Sequence, residues 1–217
     1  MSVLQQPPAP PSSRRQSGSE LGDSWVPRFG LTERFAHWWT VLMVAVALLS
    51  GLAMGEESRS GPVLGVHVGA VVLLAVGLIG AALFGNHRAL FSAVHQLIFF
   101  DRRDVAWLRS RVQHPLSPHT GRAWGMFNTG QKLLTWCLGM SLTTVIVTGV
   151  LDWSSGGEGG GLHGPAVVVT GVLLGAHIFM AVVNPATRPA LAGMVFGRVR
   201  RSWAAEHHGE WLDKVGR

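Results

Sequence analysis

The chain has 217 residues, of which 47% are hydrophobic and only 14% charged, and its mean hydropathy is +0.29. That balance leaves too little polar surface for an ordinary soluble domain and places the chain in a membrane. The excess of 18 Lys and Arg over 12 Asp and Glu would suit nucleic acid only on a soluble basic surface, which no domain here supplies, so that class is excluded.

In chain order, residues 1–24 are rich in Pro, Ser, Gln and Arg, hold no apolar stretch, and read as a disordered tail without a cleavable secretory segment. Arg14-Arg15 is a poor twin-arginine export signal, because polar residues follow it and the apolar run begins too late. Four apolar runs come next, at about 36–54, 62–84, 131–151 and 162–184, each near the roughly 20 helical residues that cross the hydrocarbon. Residues 85–130 form a polar loop between the second and third runs, and 185–217 a basic terminal segment. The expected fold is an all-α membrane protein, a four-transmembrane-helix bundle, with one membrane domain over 25–184 and no soluble catalytic domain. Substrate chemistry then belongs to other chains. The single cysteine, Cys137 in the third run, excludes Cys-ligated iron–sulfur clusters, intrachain disulfides and C-x-x-C-H attachment of c-type haem. It reads as a small residue facing lipid or another helix.

Basic residues are retained on the cytoplasmic side of short loops. With both termini and the 85–130 loop in the cytoplasm, all of the 18 Lys and Arg lie inside except Arg59, in the 55–61 turn. The expected location is the cell (cytoplasmic) membrane, multi-pass, with N- and C-termini cytoplasmic.

Ionisable residues inside spans are costly and face the bundle interior with a partner. Four of the 10 histidines qualify. His37 begins the first span, His67 lies near the start of the second, and His163 and His177 belong to the fourth. Because alternate spans run in opposite directions, His67 and His163 share the outer depth, and His37 and His177 the inner one. His163 and His177 are close to four turns apart, so they project from one face with an axial separation of ~21 Å. Two neutral imidazoles on facing helices can clamp a haem iron from both sides, and one haem at each depth makes an electron wire. Gly65, Gly69, Gly171 and Gly175 flank the ligands and would let a broad macrocycle approach the backbone.

Two other readings stand beside haem. Each histidine could be a satisfied interhelical hydrogen bonder, or the four could line a proton or ion pathway, although such a pathway would need carboxylates and the spans contain none. The remaining histidines, His87, His95, His114, His119, His207 and His208, are expected on solvated surface, with a transition-metal site at His207-His208 as an alternative.

Several segments carry a resemblance to a known family: Glu33-Arg34-Phe35-Ala36-His37-Trp38, Gly65-Val66-His67-Val68-Gly69, Asn128-Thr129-Gly130-Gln131-Lys132, Val147-Thr148-Gly149-Val150, the His163/His177 spacing and the tail from Arg200 to His208. Over about residues 28–217 the chain resembles the cytochrome b (gamma) subunit of respiratory formate dehydrogenase. The resemblance implies two haem b groups, the outer ligated by His67 and His163 and the inner by His37 and His177, the same pairs that depth gives. It implies an iron–sulfur (beta) subunit and a molybdenum or tungsten catalytic (alpha) subunit as partners, and menaquinone or ubiquinone as acceptor. Asn128 and Gly130 match positions that hold the quinone head group, with Gln131 and Lys132 in the same motif. Asn128 or Thr129 would equally serve as a helix N-cap. The long tail, the short 55–61 turn and the Gly-rich 154–161 loop depart from the family and put partner contacts in question. A related complex, a hydrogenase or thiosulfate reductase, could use the same scaffold, and a higher oligomer is compatible with it.

Overall fold

A computed structural model describes residues 24–54, 61–114, 124–156 and 161–215. The tail with Arg14-Arg15, the turn with Arg59, His119 and residues 157–160 of the Gly-rich 154–161 loop lie outside the described residues. Four helices are long and apolar enough to cross a membrane: α1 (Leu31–Ala53), α2 (Pro62–Phe84), α5 (Thr129–Ser154) and α6 (His163–Ile178), the last prolonged by a wider turn over Phe179–Val183. Only 6–11% of an 18-residue window in each is buried inside the chain, as suits helices whose apolar side chains face lipid.

The helices start where their sequences supply first-turn partners. Pro62 opens α2, where its missing N–H is no loss. At α5 the Asn128 side chain accepts from the Gln131 N–H at 2.9 Å, and the Gln131 side chain accepts from the Asn128 N–H at 3.0 Å. The spans form two antiparallel hairpins, α1 on α2 and α5 on α6, and helix packing is most extensive within each. In the first hairpin the Trp39 indole donates to the Leu73 carbonyl at 2.9 Å and lies where a Cβ on Gly77 would stand, so this close approach requires glycine.

The stretch expected as a loop over 85–130 is instead largely two helices, α3 (His87–Ile98) and α4 (Arg102–Gln113). Asn86 caps α3, and Asp101 with Asp104 forms a capping box on α4. Helix α3 touches α1, α2 and α5 and so ties the hairpins together. Asp104 is 1% exposed and accepts from Lys132 Nζ at 2.6 Å and from the Thr129 hydroxyl at 2.6 Å. Burial raises the Asp104 carboxyl, but the hydrogen bonds from Lys132 and Thr129 outweigh it and hold the group below the usual carboxylate range.

The C-terminal segment likewise folds back. After a short turn at Arg188–Ala190 come α7 (Leu191–Phe196), β2 (Arg198–Arg200), α8 (Arg201–His207) and α9 (Gly209–Val215). Strand β2 pairs antiparallel with β1 (Trp25–Pro27), Val26 opposite Val199. Gly197, at φ 76°, makes the left-handed turn between α7 and β2, and its carbonyl accepts from the Arg28 N–H at 2.8 Å. Val26, Phe29, Met126, Phe127, Val199, Trp203, Trp211 and Leu212 form a small core on the side of the bundle where the described chain begins at Ser24 and ends at Val215.

At its centre Arg28 donates to the Met126 carbonyl at 2.7 Å and lies 3.3 Å from His208 Nε2, with the rings of Phe29, Trp203 and Trp211 within 5.6 Å of the guanidinium. His208 donates from Nδ1 to the Gly125 carbonyl at 2.8 Å. It is buried, not solvated as expected, and both of its nitrogens are engaged, which leaves none for a metal at His207-His208. Burial first, and then the Arg28 charge, pushes its pKa down to about 3, against the raising effect of the Gly125 bond.

The folded ring therefore stays neutral over a range in which an unfolded one, near 6.5, takes a proton. Stability from this site is complete above the unfolded value and falls as pH drops from 6.5 towards 3, by about 1.4 kcal/mol per pH unit. The opening free energy of amides over residues 198–215, taken from hydrogen exchange rates corrected for the intrinsic pH dependence of exchange, should fall with that slope on acidification, and His208→Gln should flatten it. A slope that is unchanged in the variant would contradict the assignment.

Candidate functional site

The four intramembrane histidines meet in pairs. His67, in the second turn of α2, faces His163 at the start of α6, with ring centroids 6.2 Å apart and planes at 87°. Nearer the terminal side, His37 of α1 faces His177 of α6 with centroids again 6.2 Å apart and planes at 45°. These are the pairs expected from depth. A metal–nitrogen bond of about 2 Å, plus about 1.1 Å from that nitrogen to the ring centre, puts two axial imidazoles roughly 6 Å apart, centre to centre. Both pairs have that spacing. No hydrogen bond joins the rings within either pair among the described residues, and His37 Nδ1 is buried without a partner.

The rings of His67 and His163 are held in matching ways. His67 Nδ1 lies 2.9 Å from the Ala47 carbonyl of α1, and His163 Nδ1 lies 3.0 Å from the Val145 carbonyl of α5. A carbonyl only accepts, so Nδ1 carries the proton and Nε2 is left as the ligating nitrogen. The Ser50 hydroxyl oxygen lies 3.3 Å from His67 Nδ1, and that of Thr148 lies 3.4 Å from His163 Nδ1. One residue further on, a Cβ on Gly51 would come 3.3 Å from the His67 ring, and one on Gly149 3.0 Å from the His163 ring. Each ring thus rests on a carbonyl, a hydroxyl and a glycine at positions i, i+3 and i+4 of the neighbouring helix. Sequence reasoning missed Ser50-Gly51, and noticed Thr148-Gly149 only inside a longer motif. The repeat of Ala/Val-x-x-Ser/Thr-Gly in the first and third spans was the available signal. Gly65, Gly69, Gly171 and Gly175 contact nothing within 4 Å of a Cβ position, so their surroundings have room for a bulky group.

The Asn128–Lys132 motif sits at the terminal-side end of α5. The capping interaction is present in full, and Lys132 is turned away into its ion pair with Asp104 and a 3.1 Å bond to the Phe99 carbonyl. Asn128 uses its side-chain oxygen in the cap, while its amide nitrogen and the N–H of exposed Gly130 make no protein hydrogen bond among the described residues. Two donors are therefore presented where α5 begins.

Comparison with known proteins places this arrangement. The chain is 24% identical over 198 residues to the cytochrome b556(fdo) subunit of formate dehydrogenase from Escherichia coli K12, covering 87% of this chain and 92% of that protein. It is 22% identical over 194 residues to the nitrate-inducible formate dehydrogenase cytochrome b556(Fdn) subunit of the same strain, covering 84% and 88%. A formate dehydrogenase cytochrome b556 subunit of Haemophilus influenzae is 24% identical over 210 residues, covering 87% and 83%. The model of prokaryotic cytochrome b561 matches residues 28–197, a stretch holding all four spans and all four paired histidines, and the chain belongs to that family of haem b proteins.

Proposed function

We propose that the chain is the two-haem cytochrome b subunit of a respiratory formate dehydrogenase. In this reading it carries electrons from an iron–sulfur subunit, fed by a molybdenum or tungsten catalytic subunit, across the cell membrane to menaquinone or ubiquinone. The observation that carries it is the pair of 6.2 Å ring separations at two depths, each matching bis-imidazole ligation. Haem b, when bound, supplies reversible one-electron transfer at iron. His67 and His163 hold the outer group and His37 and His177 the inner one. The names of the relatives support formate dehydrogenase as the complex.

The distribution of basic residues supports a cytoplasmic position for both termini, α3, α4 and the Trp203–Trp211 core. On that side the Asn128 amide nitrogen and the Gly130 N–H are donors for a quinone carbonyl gaining negative charge. Gln131 keeps Asn128 oriented through the cap, and Lys132 fixes the helix start on Asp104. A second reading, the same scaffold in a hydrogenase or thiosulfate reductase, is favoured only by the family description, which names no substrate. Identification of the co-purifying subunits separates the two.

Replacing His67 or His163 by alanine should remove one haem and leave the inner one, halving haem content. Loss of both haems from a correctly inserted protein would contradict independent pairs. Asn128→Ala should leave both haems reducible by the partner subunits but slow their reoxidation by quinone at least several-fold. Normal reoxidation in a well-assembled variant would remove Asn128 from the quinone site.

A further inference from the structure

The two histidine pairs differ in what stands behind them. Both outer rings have Nδ1 against a backbone carbonyl, at 2.9 and 3.0 Å, with a hydroxyl oxygen beside it and a glycine against the ring. Neither inner ring has such support. His37 Nδ1 is buried with no partner, and His177 makes no ring hydrogen bond among the described residues. An Nδ1–H that donates to a carbonyl shifts electron density onto the imidazole and makes Nε2 a stronger donor to a metal. Stronger axial donation stabilises the oxidised, more positive iron and lowers its reduction potential.

Resting on the two-haem reading above, we infer that the Ala47–Gly51 and Val145–Gly149 cradles act on the outer ligands as positioning elements that set the outer haem at a lower reduction potential than the inner one. The chain then carries a built-in downhill step. An electron delivered at the outer pair moves to the inner one with loss of free energy, and does so before any quinone is engaged. The three cradle parts have separate tasks. The carbonyl of Ala47 or Val145 takes the ring proton. The hydroxyl of Ser50 donates to Val46 and Ala47, and that of Thr148 to Thr144 and Val145, so each keeps its oxygen lone pairs toward the ring. Gly51 and Gly149 let the imidazole come close enough to the helix for the bond to form at all.

The glycines make the inference testable, because the carbonyls themselves cannot be substituted. A methyl group on Gly149 would meet His163 Cε1 at 3.0 Å and Nδ1 at 3.1 Å, so the ring must move by a few tenths of an ångström and its bond to Val145 must lengthen. Donation weakens and the outer potential rises. A merely loosened pocket gives the opposite sign, since water admitted to the site stabilises the charged ferric form.

The experiment is a redox titration of the purified complex followed at the reduced haem band. His37→Ala, which retains the outer haem, and His67→Ala, which retains the inner, assign the two midpoints. The expected result is a lower outer midpoint in the unsubstituted protein and, in Gly149→Ala, an upward shift of the outer midpoint with the inner unchanged. If Gly149→Ala loses the outer haem, Gly51→Ala, with 3.3 Å of clearance to the His67 ring, is read by the same criterion. An outer midpoint equal to or above the inner, or one that stays or falls in the glycine variants, overturns the inference while leaving two haems in place. A protein without any b-type band overturns the haem reading itself.

Discussion

A histidine ring inside hydrocarbon carries two nitrogens, one a donor and one an acceptor, and neither can turn to water. The bundle is organised around holding four such rings in two facing pairs. For His67 and His163 one nitrogen is taken by a carbonyl of the neighbouring helix, which fixes the ring and points the other nitrogen across the gap between the two hairpins. Each hairpin therefore has to pack closely within itself. Ser50-Gly51 and Thr148-Gly149 allow that approach where side chains with more bulk would hold the helices apart. Between the hairpins the requirement is reversed, because facing rings must stay about 6 Å apart, centre to centre, to take a metal between them. Helices α1 with α2 and α5 with α6 are accordingly the extensive contacts, and the pairs across the gap are slight.

Something outside the bilayer must then hold the hairpins in register. Helix α3 bridges α1 and α5, and the Asp104–Lys132–Thr129 cluster fastens α4 to the first turn of α5. Breaking a buried pair of this kind by removing one partner typically costs about 3–5 kcal/mol. The core around Arg28 and His208 joins the segment before α1, the turn before α5 and the end of the chain. The Trp38 indole and the Arg34 guanidinium add bonds to the Met194 and Val195 carbonyls, so α1 is tied to α7 one turn from His37. The His37–His177 pair thus depends on this terminal-side core for its alignment, and the His67–His163 pair on the cradles of the neighbouring helices.

The membrane class, the four spans and the histidine pairs were legible because lipid imposes a coarse rule: long apolar runs, few charges, and polar residues only where they meet. The span ends were less so. Helix α1 begins at Leu31 and not near residue 36, since Thr32, Glu33 and Arg34 form a polar first turn that a hydropathy reading assigns to the loop. Helices α3 and α4 were hidden for a similar reason: each has 12 residues and a half-polar face, too short and too mixed to register as a span. The apolar positions Leu90, Phe91, Val94, Leu97 and Ile98 did have helical spacing. The burial of His208 had no local signal, because its partners Arg28 and Gly125 are distant in sequence. For Asn128 the difficulty is of another kind, since one residue type serves both as helix cap and as a donor to a ligand, and the cap uses only its oxygen.

The central claim is that one chain holds two haem groups, each between two of the four histidines His37, His67, His163 and His177. Haem b content per polypeptide, measured on the purified protein by its reduced pyridine spectrum against total amino acid, tests it most directly. The account predicts two haem b per chain. A ratio of one, or no haem, in a protein that is fully inserted and folded would contradict it.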